Sequence, residues 1–218
     1  MDLVFCIDAT GSMGPVLDMV KERAISFYGD VTNAMVKKNK SIDNLRIRII
    51  AFRDYVADGD EAMMITEFFD FPEESAGFAE AIHSIQAKGG GDEPEDGLEA
   101  LGYAIKSKWA SQGMKRRQVI VVWTDASTHD IGYGRHVPGY PTGMASDFGE
   151  LTSWWGDEQN QGFMDENGKR LLLFTPDVPY WNAISEIWDN VLHFPSNSGE
   201  GLAEFTYNEI LDCIANSI

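Results

Sequence analysis

Leu3-Val-Phe-Cys-Ile7 followed by Asp8-Ala-Thr-Gly-Ser-Met13 opens the chain. A short apolar run ending in a polar, glycine-containing turn reads as a buried parallel strand that delivers its C-terminal end into a loop. Ligands of open α/β sheets bind at such ends. Asp8, Thr10 and Ser12 place three oxygen-bearing side chains at alternate positions of that loop, an arrangement suited to a hard cation such as magnesium. The same residue types are preferred helix N-caps, so the loop taken alone reads equally well as the cap of the next helix.

Working outward, Val16, Val20, Ala24, Phe27, Tyr28, Val31 and Met35 recur at helical spacing and predict one long amphipathic helix from Pro15 to Lys38. Lys37, Lys38 and Lys40 suit its C-terminal end. Leu45-Arg-Ile-Arg-Ile-Ile-Ala-Phe52 alternates, with Arg46 and Arg48 outward, and then turns wholly apolar, which predicts a second strand ending in Arg53-Asp54-Tyr55. Ala62 to Phe69 follows too short a connection for a parallel crossover and is expected as an antiparallel edge strand. A short helix falls within residues 72–85. Gly89-Gly-Gly-Asp-Glu-Pro-Glu-Asp96 then forms a second loop, feeding a helix from Pro94 to Trp109. Asp92 and Glu95 have capping-box spacing, which accounts for the acids but not for three consecutive glycines, residues that permit close backbone approach.

Gln118-Val-Ile-Val-Val-Trp-Thr-Asp125 is the clearest central strand, and it repeats the opening design of an apolar run ending in Asp. Residues 128–168, rich in glycine, aromatic and polar residues, read as an insertion on the loop side of the sheet, with a helix near 145–155. A fifth strand at 171–175, a helix at 180–188, a sixth strand at 190–194 and a closing helix at 202–214 complete the chain. This alternation predicts an α/β fold: a doubly wound, mostly parallel sheet of six strands in the order 3-2-1-4-5-6, the third antiparallel, with helices on both faces.

The 218 residues fit one domain, 1–218, long enough to bury its own core. A net charge of −18, from 17 basic and 35 acidic residues, opposes binding to nucleic acid or to anionic membrane surfaces. Two cysteines, Cys6 and Cys213, are expected as buried thiols rather than a disulfide. A strand that starts directly after Met1, with no apolar run of membrane-spanning length, predicts a cytoplasmic protein.

In such a sheet the crevice lies where neighbouring strands send their connections to opposite faces. If the first strand lies beside the fourth, Asp8 and Asp125 face each other across it, and the glycine loop closes the site from a third side. Three converging acidic loops favour the metal reading over capping. Asp8-x-Thr10-x-Ser12 with Asp125 in Val-Val-Trp-Thr-Asp resembles the von Willebrand factor A domains that carry a metal-ion-dependent adhesion site. Here Thr10 replaces one serine of the Asp-x-Ser-x-Ser pattern and keeps its hydroxyl. Where the family has a threonine in the middle loop, this chain has Gly-Gly-Gly-Asp92-Glu-Pro-Glu95, similar to bacterial A domains and those attached to atypical kinases.

The resemblance covers the chain apart from 128–168. It implies a Rossmann-like fold and a magnesium site, with manganese or calcium as alternatives, built from Asp8, Thr10, Ser12, Asp92 and Asp125. It further implies a non-catalytic module whose ion is completed by an acidic residue of a partner protein; the chain itself is expected to be a monomer. Asp92 coordinates directly, acts through water, or only caps a helix. Direct coordination adds a third carboxylate, which lowers the ion's demand for another anion and favours a structural or regulatory ion, the purely structural ion being the alternative to the adhesive reading. Tyr133, Tyr140, Trp154 and Trp155 either surround the site as a contact surface or form the small core of the insertion. His129 and His136 receive no role. A magnesium-dependent phosphatase of the haloacid-dehalogenase type also begins with an Asp-ended strand, but its second Asp, two residues on, is Thr10 here.

Overall fold

Strict alternation of side chains along the central strands builds two cores from one sheet. The computed structural model describes residues 1–90, 93–202 and 204–217. In β1 (Asp2–Asp8), Leu3, Phe5 and Ile7 face one layer while Val4 and Cys6 face the other, as the two-residue period of a strand requires. β5 (Gln118–Trp123) divides in the same way: Val119, Val121 and Trp123 on the first side, Ile120 and Val122 on the second. β1 lies between β2 (Leu45–Phe52) and β5, parallel to both. β6 (Lys169–Pro176) and β7 (Val191–Ser196) extend the parallel sheet beyond β5.

The first layer is covered by α1 (Gly14–Arg23), α2 (Phe27–Lys37), α4 (Ser75–Ser84) and α8 (Tyr207–Ser217). The second is covered by α5 (Gly97–Ile105), α6 (Phe148–Trp155) and α7 (Pro179–Ile187). α3 (Tyr55–Asp58) is a single turn after β2. No helix among the described residues is long and apolar enough to cross a membrane.

The sheet has seven strands rather than six, because the predicted third strand is two short ones. β3 (Met63–Ile65) and β4 (Phe69–Phe71) both pair antiparallel with β2, at its C-terminal and N-terminal ends respectively. The remaining order, β3-β2-β1-β5-β6-β7, is the predicted one. Arg46 and Arg48 do not point freely outward. Arg46 makes a bidentate pair with Asp2 of β1 at 2.9 and 2.7 Å, and Arg48 donates to Thr66 O and Ser107 Oγ, so both are tied to neighbouring elements.

The predicted helix 15–38 is broken between α1 and α2 by a turn in which Ala24 N donates to Lys21 O and Ser26 N to Arg23 O. Ile25 is exposed, whereas Ala24 and Phe27 are buried. Apolar spacing reported the buried face correctly and missed the break, because a tight turn keeps residues three apart on one side. The closing helix starts at Tyr207, and the segment before it carries Leu202 at φ 56° and Gly201 at φ 60°. Cys6 is buried, as expected, but Cys213 is only half-buried.

Candidate functional site

β1 and β5 end side by side, and that register brings Asp8 and Asp125 to the same edge of the sheet. Asp8 is wholly buried. Its Oδ1 accepts from Thr10 N at 2.9 Å and Thr10 Oγ1 at 2.6 Å, and its Oδ2 accepts from Thr124 Oγ1 at 2.6 Å. Asp125 Oδ1 accepts from Ser12 Oγ at 2.9 Å, and Oδ2 from Gly201 N at 2.7 Å. Gly201 tolerates no side chain there: it has positive φ, and a Cβ would lie 2.4 Å from Ser12 O. Thr10 and Asp125 are buried, while Ser12 is exposed, so the cluster opens to solvent on the Ser12 side.

Arg53, at the end of β2, ties the first loop to its surroundings. Its guanidinium donates to Ala9 O, Lys88 O, Glu61 O and Gln86 O, all backbone carbonyls. Its hydrogen bonds are therefore spent on the scaffold and not on the acidic side chains.

The third wall is Glu95. Its backbone is pinned beside the end of β5, with Glu95 N donating to Ser127 O and His129 N to Glu95 O. The glycine loop crosses over it: at Gly90, with φ +67°, a Cβ would lie 2.4 Å from both Glu95 Oε1 and Thr10 Cγ2. This close approach is a physical use for glycine in the Gly-Gly-Gly run. Glu95 is 3% exposed, and its Oε2 has no hydrogen-bond partner among the described residues. It takes no part in a capping box, since α5 starts only at Gly97 and its N-cap Asp96 makes no side-chain cap bond.

Burial, then the nearby charges of Asp8, Asp54, Asp58 and Asp96, pushes the Glu95 carboxyl up to about 9. Burial likewise pushes Asp8 up to about 6, against the opposing hydrogen bonds from Thr10 and Thr124. A buried acidic cluster with an orphaned carboxylate oxygen suits a divalent cation. Thr10 and Ser12 spend their hydroxyl hydrogens on carboxylates, which leaves oxygen lone pairs for a cation.

Of the residues expected from sequence, Asp8, Thr10, Ser12 and Asp125 meet in this one cluster. Asp92 lies outside the described residues. Sequence reasoning passed over Thr124 as a partner of Asp8, and over Glu95 as anything but a cap. The apolar strand ending in Thr-Asp was the available signal for Thr124; none marked Glu95, whose role depends on which loop covers it. The tryptophans of 128–168 are core: Trp154 and Trp155 are buried, with Trp155 stacked on Trp188. Tyr140 is half-buried and donates to Glu99, and only Tyr133 of the four aromatics is exposed.

A doubly wound sheet with clustered carboxylates and hydroxyls at the ends of adjacent central strands defines an A-domain-like α/β module. The chain belongs to the von Willebrand factor A domain family, whose sequence model matches residues 2–138. Over 143 residues it is 27% identical to the alpha-protein kinase vwkA of Dictyostelium discoideum, an alignment covering 66% of this chain and 21% of that protein. The chain thus spans about a fifth of the length of that relative.

Its fold is similar to a von Willebrand factor type A protein from Catenulispora acidiphila, with a TM-score of 0.56 at 14% identity, covering 99% of this chain and 42% of the other. It is also similar to the pilus adhesin SpaC of Lactobacillus rhamnosus GG, with a TM-score of 0.55 at 12% identity, covering 99% of this chain and 30% of the other. At these identities the likeness concerns the fold.

Proposed function

We propose that residues 1–218 act as one non-catalytic protein-interaction domain, with 128–168 inserted beside a divalent-cation site at Asp8, Thr10, Ser12 and Asp125. Magnesium is the ion of choice, with manganese or calcium able to replace it, since every donor is a hard oxygen. Asp92 belongs to the proposal by sequence position, as a direct ligand or through water. The observation that carries this reading is the convergence of Asp8 and Asp125, each hydrogen-bonded to a hydroxyl of the same loop. When bound, the ion supplies an electrophilic position that an acidic residue of a partner protein completes. The protein's own part is to hold the carboxylates fixed through Thr124 and Gly201 and to leave the Ser12 side open.

The relative's name and the adhesin neighbour fit an A domain attached to, or serving, a larger assembly. For this chain we infer a monomeric, cytoplasmic module that binds neither nucleic acid nor membrane, in keeping with its net charge of −18. A phosphatase of the haloacid-dehalogenase type gains no support, because Thr10 stands where that chemistry needs an acid and its hydroxyl is bonded to Asp8.

Calorimetric titration with magnesium, combined with thermal melts, tests the site. One equivalent should bind and raise the melting temperature, because a ligand specific to the folded state stabilises it by mass action. Asp8→Ala and Asp125→Ala should abolish both effects. Equal magnesium stabilisation in both variants would overturn the assignment. Binding of an acidic peptide in magnesium but not in chelator tests the partner half of the reading.

A further inference from the structure

We propose that Asp54, Asp96 and His129 form a second cation site, distinct from the Asp8 and Asp125 cluster and suited to a borderline transition-metal ion of the zinc class. Each residue brings one oxygen or nitrogen within 4.8 Å of those of the other two. Proximity alone would be ordinary in so acidic a chain; the bonding of each group carries the argument.

Asp96 is wholly buried at the start of α5. Its Oδ2 accepts from Tyr55 N at 2.6 Å, and its Oδ1 has no hydrogen-bond partner among the described residues. A fully buried carboxylate oxygen left in this state is costly unless something positive meets it. Asp54 is buried as well, and its Oδ1 is taken by Val56 N at 2.7 Å. Asp54 Oδ2 faces His129 Nε2 at 3.7 Å. That is too long for a hydrogen bond. It is close to the separation of about 3.4 Å between two ligands of a tetrahedral ion with bonds of about 2.0–2.1 Å.

All three groups are held by contacts that need no ion. Asp96 N donates to Arg53 O, His129 N donates to Glu95 O, and the His129 ring stacks on Tyr133 with centroids 4.0 Å apart. Arg53, the nearest arginine in sequence, has its donors on backbone carbonyls. Two carboxylates plus one imidazole favour a borderline ion over magnesium, which prefers oxygen alone. Three protein ligands also leave one position of a tetrahedral ion open.

The decisive experiment labels the chain with 15N-histidine and titrates zinc in the presence of excess magnesium. Ligation should shift the His129 Nε2 signal and leave those of His83, His136 and His193 in place. The same shift should persist in Asp125→Ala, where the first cluster is broken, so the two sites are told apart. Asp96→Asn should weaken zinc by about tenfold or more, the scale reached when even an outer partner of a metal ligand is lost, while its magnesium stabilisation remains. A His129 ring unmoved by excess zinc in the unaltered protein overturns the proposal, whatever the variants do. So does a His129 shift that disappears in Asp125→Ala, which would make His129 part of the first cluster.

Discussion

Ser12 Oγ donates to Asp125 Oδ1 at 2.9 Å across 113 positions of sequence. The bond joins the loop after the first strand to the end of the fourth predicted strand, the two points at which sequence analysis expected ligands. Asp125 also accepts from Gly201 N, so the loops after β1 and β7 meet on a single carboxylate.

Thr124→Val should destabilise the fold and weaken magnesium together. Thr124 is 1% exposed, and its hydroxyl donates to Asp8 Oδ2 and accepts from Ala126 N. Leaving these buried groups unpaired costs about 1–3 kcal/mol, readable by urea denaturation. Thr124→Ser should recover most of the loss, and a Val variant as stable as the parent would refute the role.

Glu95→Gln should raise the melting temperature in chelator and shrink the gain on adding magnesium. The substitution keeps the shape and removes a carboxyl whose ionisation is opposed first by burial and then by Asp8, Asp54, Asp58 and Asp96, so folding no longer has to take up a proton there. Melts with and without magnesium at about pH 8, a value below the raised carboxyl but far above its ordinary range, check both halves. An unchanged magnesium increment separates Glu95 from the cation site.

In chelator, stability should fall as pH rises from about 6 to about 9. Asp96, pushed up to about 7 chiefly by burial and Glu99, and Glu95, pushed up to about 9, hold protons in the folded state that the unfolded chain has already released. The unfolded state then binds fewer protons, which makes the slope of stability with pH negative. Saturating magnesium should flatten the profile, and Glu95→Gln should remove its upper part. A melting temperature that climbs over this range contradicts the assignment.

Gly97→Ala should cost about 1–3 kcal/mol, the usual penalty for overpacking a full core. An added Cβ would lie 2.8 Å from two ring carbons of Trp181, which is wholly buried. Trp181 Nε1 donates to Ala126 O at 3.1 Å, so a shifted indole disturbs the residue after Asp125. Denaturation curves should show the loss, and calorimetry a weaker magnesium affinity.

The sequence by itself determined the sheet order, since the apolar runs at 3–7, 45–52, 118–123 and 171–175 each end in a turn and alternate with helical patterns. It also pointed to Asp8, Thr10, Ser12 and Asp125 as neighbours, because strand ends fix the positions of the residues that follow them, while the partners Thr124 and Gly201 came only from the structure. The tertiary structure alone decided what neither spacing nor composition records. It divided the edge strand into β3 and β4, because two separate stretches of β2 were there to pair with. It broke the first helix at Ala24, where a tight turn keeps the same face buried.

It also turned Glu95 from a cap into a buried, orphaned carboxylate, and brought His129, a loop histidine with no motif around it, to within reach of Asp54 and Asp96. Local pattern reports the period and the ends of elements. Which charge lies beside which, and whether water reaches it, depends on how distant loops close over the ends of the sheet.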